Sequence, residues 1–337
     1  MRLSPHLPAM IPLSILDLAP IVEGGSAAQA LHNARDLAQH AERWGYRRFW
    51  MAEHHSLAGI ASAATSVALA HVGEGTSTIR IGAGGIMLPN HAPLQIAEQF
   101  GTLESLFPGR VDLGLGRAPG TDQAAAYALR RNLNADVNQF PRDVVELMSY
   151  LKPDEPGRRV RAIPGEGLDI PIWILGSSLF GAQLAAHLGL PYAFASHFAP
   201  AQMLEAIQVY RAGFQPSEQL AEPYVMLGYN VFAAESDEEA ALLATSMMQA
   251  FVALRSGTPG QLKPPVPDYY ESLFPNQRAM LDQVLACSAI GGPAKVEAAI
   301  RSFVAETGAD ELMLTCQMFD HQKRLRSFEI ASALIGG

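Results

Sequence analysis

The feature that most restricts the fold is an alternation that recurs along the whole chain. Short apolar runs at Ile11–Leu18, Arg48–Ala52, Ile79–Met87, Val111–Gly116, Pro171–Leu175, Tyr192–Ala195, Tyr224–Ala233 and Glu311–Cys316 are each followed by apolar residues at helical spacing. The first unit shows the pattern clearly. After Gly24-Gly25, Ser26 stands as an N-cap with Gln29 at the capping-box position. Ala27, Ala30, Leu31, Ala34, Leu37, Ala38, Ala41 and Trp44 then follow at helical spacing until Gly45. Eight short strands without polar alternation, each succeeded by a helix, predict a (β/α)8 TIM barrel whose parallel strands are covered on both faces.

Composition agrees with one large core. The chain has 337 residues, of which 49% are hydrophobic and 17% charged, and no sequence repeat stands out beyond the alternation. We read residues 1–337 as a single barrel domain with insertions. Pro153–Pro171 separates its halves. Ser256–Pro275, Pro-rich and containing Tyr269-Tyr270, reads as a lid or a crossing strap, and helices are expected at Asn276–Ser288 and Pro293–Glu306. The formal net charge of −9 with scattered Lys and Arg argues against nucleic acid as a partner. No apolar run is long enough for a membrane span, and Pro5, Pro8 and Pro12 interrupt any signal-peptide core. Cys287 and Cys316, expected on a helix and a strand, have neither metal nor disulfide spacing. A reducing cytoplasm fits them.

In a barrel of this kind the chemistry gathers where strands end. Val111-Asp112-Leu113-Gly114-Leu115-Gly116 ends by delivering Arg117, before Pro119-Gly120 breaks the pattern. Position alone leaves an anion contact and a surface ion pair equally open for Arg117. The glycines are a poor dinucleotide fingerprint: the third would fall at Pro119, and no such turn follows the first strand. Ser177 and Ser178, where the fifth strand meets its helix, suit N-capping and anion binding alike. Gly84-Gly85 lies inside the third strand, where glycine weakens pairing unless something approaches closely. Glu53-His54-His55 closes the second strand. His54 reads as a structural histidine or an acid–base group, and Glu53 and His55 as its supports or as metal ligands. Further ligands are not evident, so no metal is expected. Asp17, Asn90-His91 and His197 are other residues that would reach the mouth.

Taken in order, Glu53-His54-His55, Gly82-Ala83-Gly84-Gly85-Ile86-Met87-Leu88-Pro89, Phe107-Pro108-Gly109-Arg110, Gly114-Leu115-Gly116-Arg117 and Leu175-Gly176-Ser177-Ser178 resemble the bacterial luciferase-like flavin monooxygenases over essentially the whole chain, in particular their single-chain members. The resemblance implies a luciferase-like barrel that uses reduced FMN, supplied by a separate NAD(P)H-dependent flavin reductase, and oxygen to oxygenate a small organic substrate. It implies that Arg117, Ser177 and Ser178 hold the flavin phosphate, that a non-prolyl cis peptide at Gly84–Gly85 backs the ring, and that His54 is catalytic. A homodimer is expected on the same ground. Relatives on this barrel that transfer hydride with a deazaflavin give one alternative, and a non-catalytic flavin-binding protein a second. A hydrolase with a metal at the mouth histidines is a third.

Overall fold

The structure is a computed structural model that describes residues 11–117, 123–129, 139–154 and 156–335. Nine strands pair in parallel: β1 (Leu13–Asp17), β2 (Arg48–Met51), β3 (Arg80–Met87), β4 (Val111–Gly116), β5 (Ile172–Gly176), β6 (Tyr192–Phe194), β7 (Val225–Ala233), β8 (Ser288–Gly291) and β9 (Glu311–Thr315). β1 to β7 follow one another around a ring. β9 enters between β7 and β1 and closes it. The barrel is therefore eight-stranded, as the alternation predicts. β1, β2, β7 and β9 are buried at every residue, because helices cover the outside while side chains fill the inside.

β8 lies outside the ring and corrects the sequence reading. The helix expected over Asn276–Ser288 spans Pro275–Leu285, Cys287 sits in the following turn, and Ser288–Gly291 is a strand. The reason is tertiary. β7 has nine residues and outruns its barrel neighbours, so its distal backbone, Asn230 to Ala233, needs a partner. The segment at 288–291 supplies it, in register from Asn230↔Ser288 to Ala233↔Gly291. Other differences are local. The helix expected from Pro200 begins as a 3-10 turn over Pro200–Gln202 and continues as Met203–Gly213. Of the helical pattern expected within Asp122–Leu133, Gln123–Leu129 is helical. The rest, like Pro119-Gly120 and Arg130-Arg131, lies outside the described residues. The Ser26 cap forms, accepting the Gln29 N–H at 3.2 Å, but the Gln29 side chain turns to Asn33 instead of closing the capping box.

The barrel interior is layered. At the N-terminal end of the strands a buried ion network plugs the lumen. Arg48 bonds Asp112 at 2.7 Å and Glu311 at 3.0 Å. Asp112 also accepts from Arg80 at 2.8 Å and from the Trp50 indole at 3.2 Å. Glu311 also accepts from Tyr224 at 2.8 Å and from Ser14. Burial works against the Arg48 charge, but Asp112 and Glu311 outweigh it and raise its pKa. Above the network lies an apolar layer of Leu16, Trp50, Trp173, Ala193, Met226 and Met313. Trp50 and Trp173 meet edge to face with centroids 5.2 Å apart. Leu16, Trp50, Ala193, Met226 and Met313 of this layer form the floor of an opening that combines an apolar lining with polar groups.

Candidate active site

The opening is a cavity of about 590 Å³ at the C-terminal ends of the strands. That size falls within the range of small-molecule sites. His54, Gly84, Gly85, Arg117, Ser177 and Ser178 all line it, so the fold brings together the residues that the resemblance assigns to the site, and His197 with them.

On the β4–β5 side the cavity offers an anion cradle. Arg117 leaves the end of β4 and lays its guanidinium over the Phe180 ring at 4.2 Å. No described residue gives it a carboxylate or hydrogen-bond partner. Ser178 is the N-cap of the helix Leu179–Leu188, yet its hydroxyl makes no capping bond. The first-turn N–H groups therefore keep their donors free toward the cavity, with the partial positive charge of the helix end behind them. Gly181, in the first turn, stands against Gly176 at the end of β5. Serine at this position satisfies the sequence pattern of a cap while leaving its role to the ligand.

The β3 wall is built from glycine. The Gly84–Gly85 peptide is cis, and the β3–β4 register shifts between Ala83 and Ile86. A Cβ on Gly84 would meet Leu16 at 2.8 Å, and one on Gly85 the Gly114 carbonyl at 2.8 Å. The bulge thus presents bare backbone to the cavity and leaves no room for side chains behind it.

Two histidines face the cavity. His54 follows β2, and His197 follows β6. His197 fits only because β7 has Gly228 beneath it: a Cβ there would lie 2.1 Å from His197 Nδ1. That nitrogen is buried and has no hydrogen-bond partner among the described residues. Burial, reinforced by the neighbouring His54, pulls the His197 imidazole down to about 4, so it is neutral near neutral pH. The sequence placed His197 at the mouth but carried no sign of this pairing. Gly228, in an otherwise apolar strand, was the available clue.

Glu53 lines the cavity and gathers His55 and His91, which do not line it, into a cluster. The buried Glu53 carboxylate accepts from His55 at 2.6 Å, His91 at 2.8 Å and the Met87 N–H at 2.9 Å. Burial acts to raise its pKa, but these bonds, led by His91, hold it below the usual carboxylate range. His55 and His91 therefore do not reach the cavity. They tie the end of β2 to the segment after the Gly84–Gly85 bulge. His91 supplies the third group that the sequence did not reveal, and the three ligand-type atoms lie within 4.8 Å of one another. Asp17 is also turned away from the mouth. It pairs with Arg324 and accepts the Ala19 N–H at 3.0 Å.

The roof comes from the insertion between β7 and β8. Phe251, Leu254 and Arg255 project from the end of the helix Asp237–Arg255, and Pro259, Gly260 and Leu262 follow. Backbone bonds pin this segment to the loop after β1, and close packing holds it on the loop after β2. Leu262 donates to the Ile21 carbonyl at 2.9 Å, its own carbonyl accepts from Glu23 at 2.8 Å, and Gly260 packs so closely on Gly59 that a Cβ on Gly59 would lie 2.2 Å from its carbonyl. The segment 256–275 thus crosses the mouth with its first part fastened at two places.

The closed parallel barrel thus opens at its strand ends into one apolar cavity, with a glycine wall on β3 and an arginine beside a helix N-terminus on the β4–β5 side. The model of the luciferase-like monooxygenase family matches residues 11–311, and the chain belongs to that family. It is 53% identical to a luciferase-like monooxygenase of Escherichia coli (strain K12), over 95% of this chain and 96% of that one. It is 37% identical to an N-acetyl-S-alkylcysteine monooxygenase of Bacillus subtilis (strain 168), over 74% of this chain and 75% of that one. Among solved structures it is similar to apo-MsnO8, with a TM-score of 0.86 at 33% identity, covering 97% of this chain and 98% of the other. The fold is shared with the oxygenating constituent of 3,6-diketocamphane monooxygenase in complex with FMN, TM-score 0.71 at 17% identity over 97% and 98% of the two chains. It is shared as well with an F420-dependent secondary alcohol dehydrogenase, TM-score 0.68 at 14% identity over 97% and 99%. Among the described residues no helix is long and apolar enough to cross a membrane.

Proposed function

We propose that the protein is a flavin-dependent monooxygenase that takes reduced FMN from a separate NAD(P)H-dependent flavin reductase and uses oxygen to oxygenate a small organic substrate. The observation that carries this reading is the cradle on the β4–β5 side, where Arg117, without a carboxylate partner among the described residues, stands against the first turn of a helix whose N-cap Ser178 makes no capping bond. FMN would supply the redox and oxygen chemistry, and the protein binding, orientation and shielding. Arg117, Ser177 and Ser178 would hold the phosphate. The Gly84–Gly85 bulge would support the ring over the floor of Leu16 and Trp50. His54 would act on the substrate side as hydrogen-bond donor or proton carrier, with neutral His197 beside it as acceptor. Phe251, Leu254 and Leu262 would keep water out.

This agrees with the family and with the FMN complex on the same fold. The F420-dependent neighbour gives the second reading, hydride transfer to or from a deazaflavin, because the same cradle and wall suit that ring. The deciding experiment is titration of the purified protein with FMN and with a deazaflavin cofactor, oxidised and reduced, followed by mixing with oxygen. The proposal requires tight binding of reduced FMN and oxygen consumption that depends on it. Preference for the deazaflavin with oxygen-independent turnover selects the second reading, and failure to bind FMN in either redox state refutes the first. A homodimeric state and a cytoplasmic location complete the proposal.

A further inference from the structure

The cavity contains a second cation that the cradle does not use. Arg255 ends the helix Asp237–Arg255, lines the cavity, and has no carboxylate partner among the described residues. It stands in the roof, five residues before Gly260, which packs on Gly59 in the loop after β2. Arg117 stands on the β4–β5 side. The two arginines come from different elements, Arg117 from the end of β4 and Arg255 from the end of the helix that follows β7.

The remaining walls leave a substrate few ways to carry charge. Glu53 is the only acid lining the cavity among the described residues, and its oxygens are already taken by His55, His91 and the Met87 N–H. A cationic substrate would therefore bury its charge without a partner. Leu57, Ile60, Phe251, Leu254 and Leu262 line the same cavity as Arg255 and give it an apolar wall. An exposed arginine beside an apolar wall suits a molecule with an apolar body and one anionic end.

We infer that the organic substrate is an amphiphilic monocarboxylate whose carboxylate pairs with Arg255 at the roof and whose apolar part runs along Leu57, Phe251 and Leu254 toward His54. The inference rests on the proposed monooxygenase reading for the meaning of "substrate", but the subsite itself is independent of the cofactor. The planar donor fork of arginine matches a carboxylate with two parallel hydrogen bonds, which a neutral amide of the same shape accepts poorly.

The test is calorimetric titration of the full chain with octanoate and with octanamide, each in the presence and absence of saturating FMN. Wild type, Arg255→Gln and Arg255→Lys are compared, and FMN affinity is measured separately for each. The expected result is octanoate binding about tenfold tighter than octanamide in wild type, as a charge-assisted pair at a partly open site would give. Arg255→Gln abolishes that preference by weakening octanoate alone, Arg255→Lys keeps part of it, and FMN affinity changes less than about twofold. Undetectable octanoate binding, equal binding of the two probes to wild type, or equal losses for both in Arg255→Gln overturn the inference. So does a matching loss of FMN affinity, which would assign Arg255 to the cofactor. If wild type fails to bind FMN but still prefers octanoate in an Arg255-dependent way, the monooxygenase reading falls and the carboxylate subsite stands.

Discussion

Replacing Gly228 with alanine tests how the two mouth histidines are held. The added methyl would lie 2.1 Å from His197 Nδ1. An ordinary contact is about 3.5 Å, so something must retreat by about 1.4 Å. The backbone on either side is tied. Ser196 donates to the Gly228 carbonyl at 2.7 Å, and Asn230 donates to the His197 carbonyl at 2.7 Å. The imidazole is the part free to yield, and its open side is the cavity beside His54. Overpacking of this kind costs about 1–3 kcal/mol. With an unfolding entropy of roughly 2 cal/mol/K per residue over the 337 residues, the melting temperature should fall by about 1.5–4 °C. The displaced ring should also lower affinity for a cavity ligand by about tenfold. The assay is a double-mutant cycle of Gly228→Ala and His197→Ala, read by circular-dichroism melting and by flavin titration. If the methyl acts through the ring, Gly228→Ala should cost less than about 0.5 kcal/mol once His197 is alanine. Equal costs in both backgrounds would refute the argument, because the strain would then lie in the backbone.

Three further outcomes follow from the same geometry. Arg117→Ala should weaken FMN binding about 10- to 100-fold and riboflavin binding less than about threefold, since only FMN carries the phosphate; equal losses by fluorescence titration would remove the phosphate assignment. Asp112→Ala should destabilise the fold by about 3–5 kcal/mol in chemical denaturation, leaving Arg48 short of one carboxylate and the Trp50 indole without an acceptor, whereas Arg326→Ala in the exposed pair with Glu235 should cost under about 1 kcal/mol. His197, lowered in the folded chain to about 4, binds its proton more readily when unfolded. Its contribution is therefore complete above pH about 6.5 and lost as the pH falls toward 4, up to about 2 kcal/mol for a half-buried ring, and His197→Asn should flatten the stability profile across that window.

Several of these residues could be read without a structure and others could not. Arg117, Ser177, Ser178 and His54 sit at the ends of strands that show as apolar runs, and in a parallel barrel all such ends meet at one face. Gly84-Gly85 stood out because glycine inside a strand needs a reason. His55 and His91 look equally available in the chain, yet both are bound to Glu53 away from the cavity. Nothing in local pattern distinguishes a histidine facing the lumen from its neighbour facing a carboxylate, because the choice depends on which element packs behind. Asp17 is the same case, claimed by Arg324 from the far end of the chain. Arg255 and Leu262 carry no such sign because they lie on an insertion whose path over the mouth is set by hydrogen bonds to the loop after β1 and by packing on the loop after β2.

What the sequence determined by itself is the barrel: the period of its apolar residues sets strand or helix locally, and eight alternations admit few closures. What the tertiary structure decided is where the surplus goes. β7 is longer than the ring requires, so its distal half recruited 288–291 as a ninth strand from a segment read as the joint between two helices. The same insertion carries Arg255 to the roof of the cavity. Hydrophobic periodicity is a local property and survives in one dimension. The partner of an unpaired backbone edge, or the face a histidine turns to, is a contact between residues tens to hundreds of positions apart, and it exists only once the chain has closed.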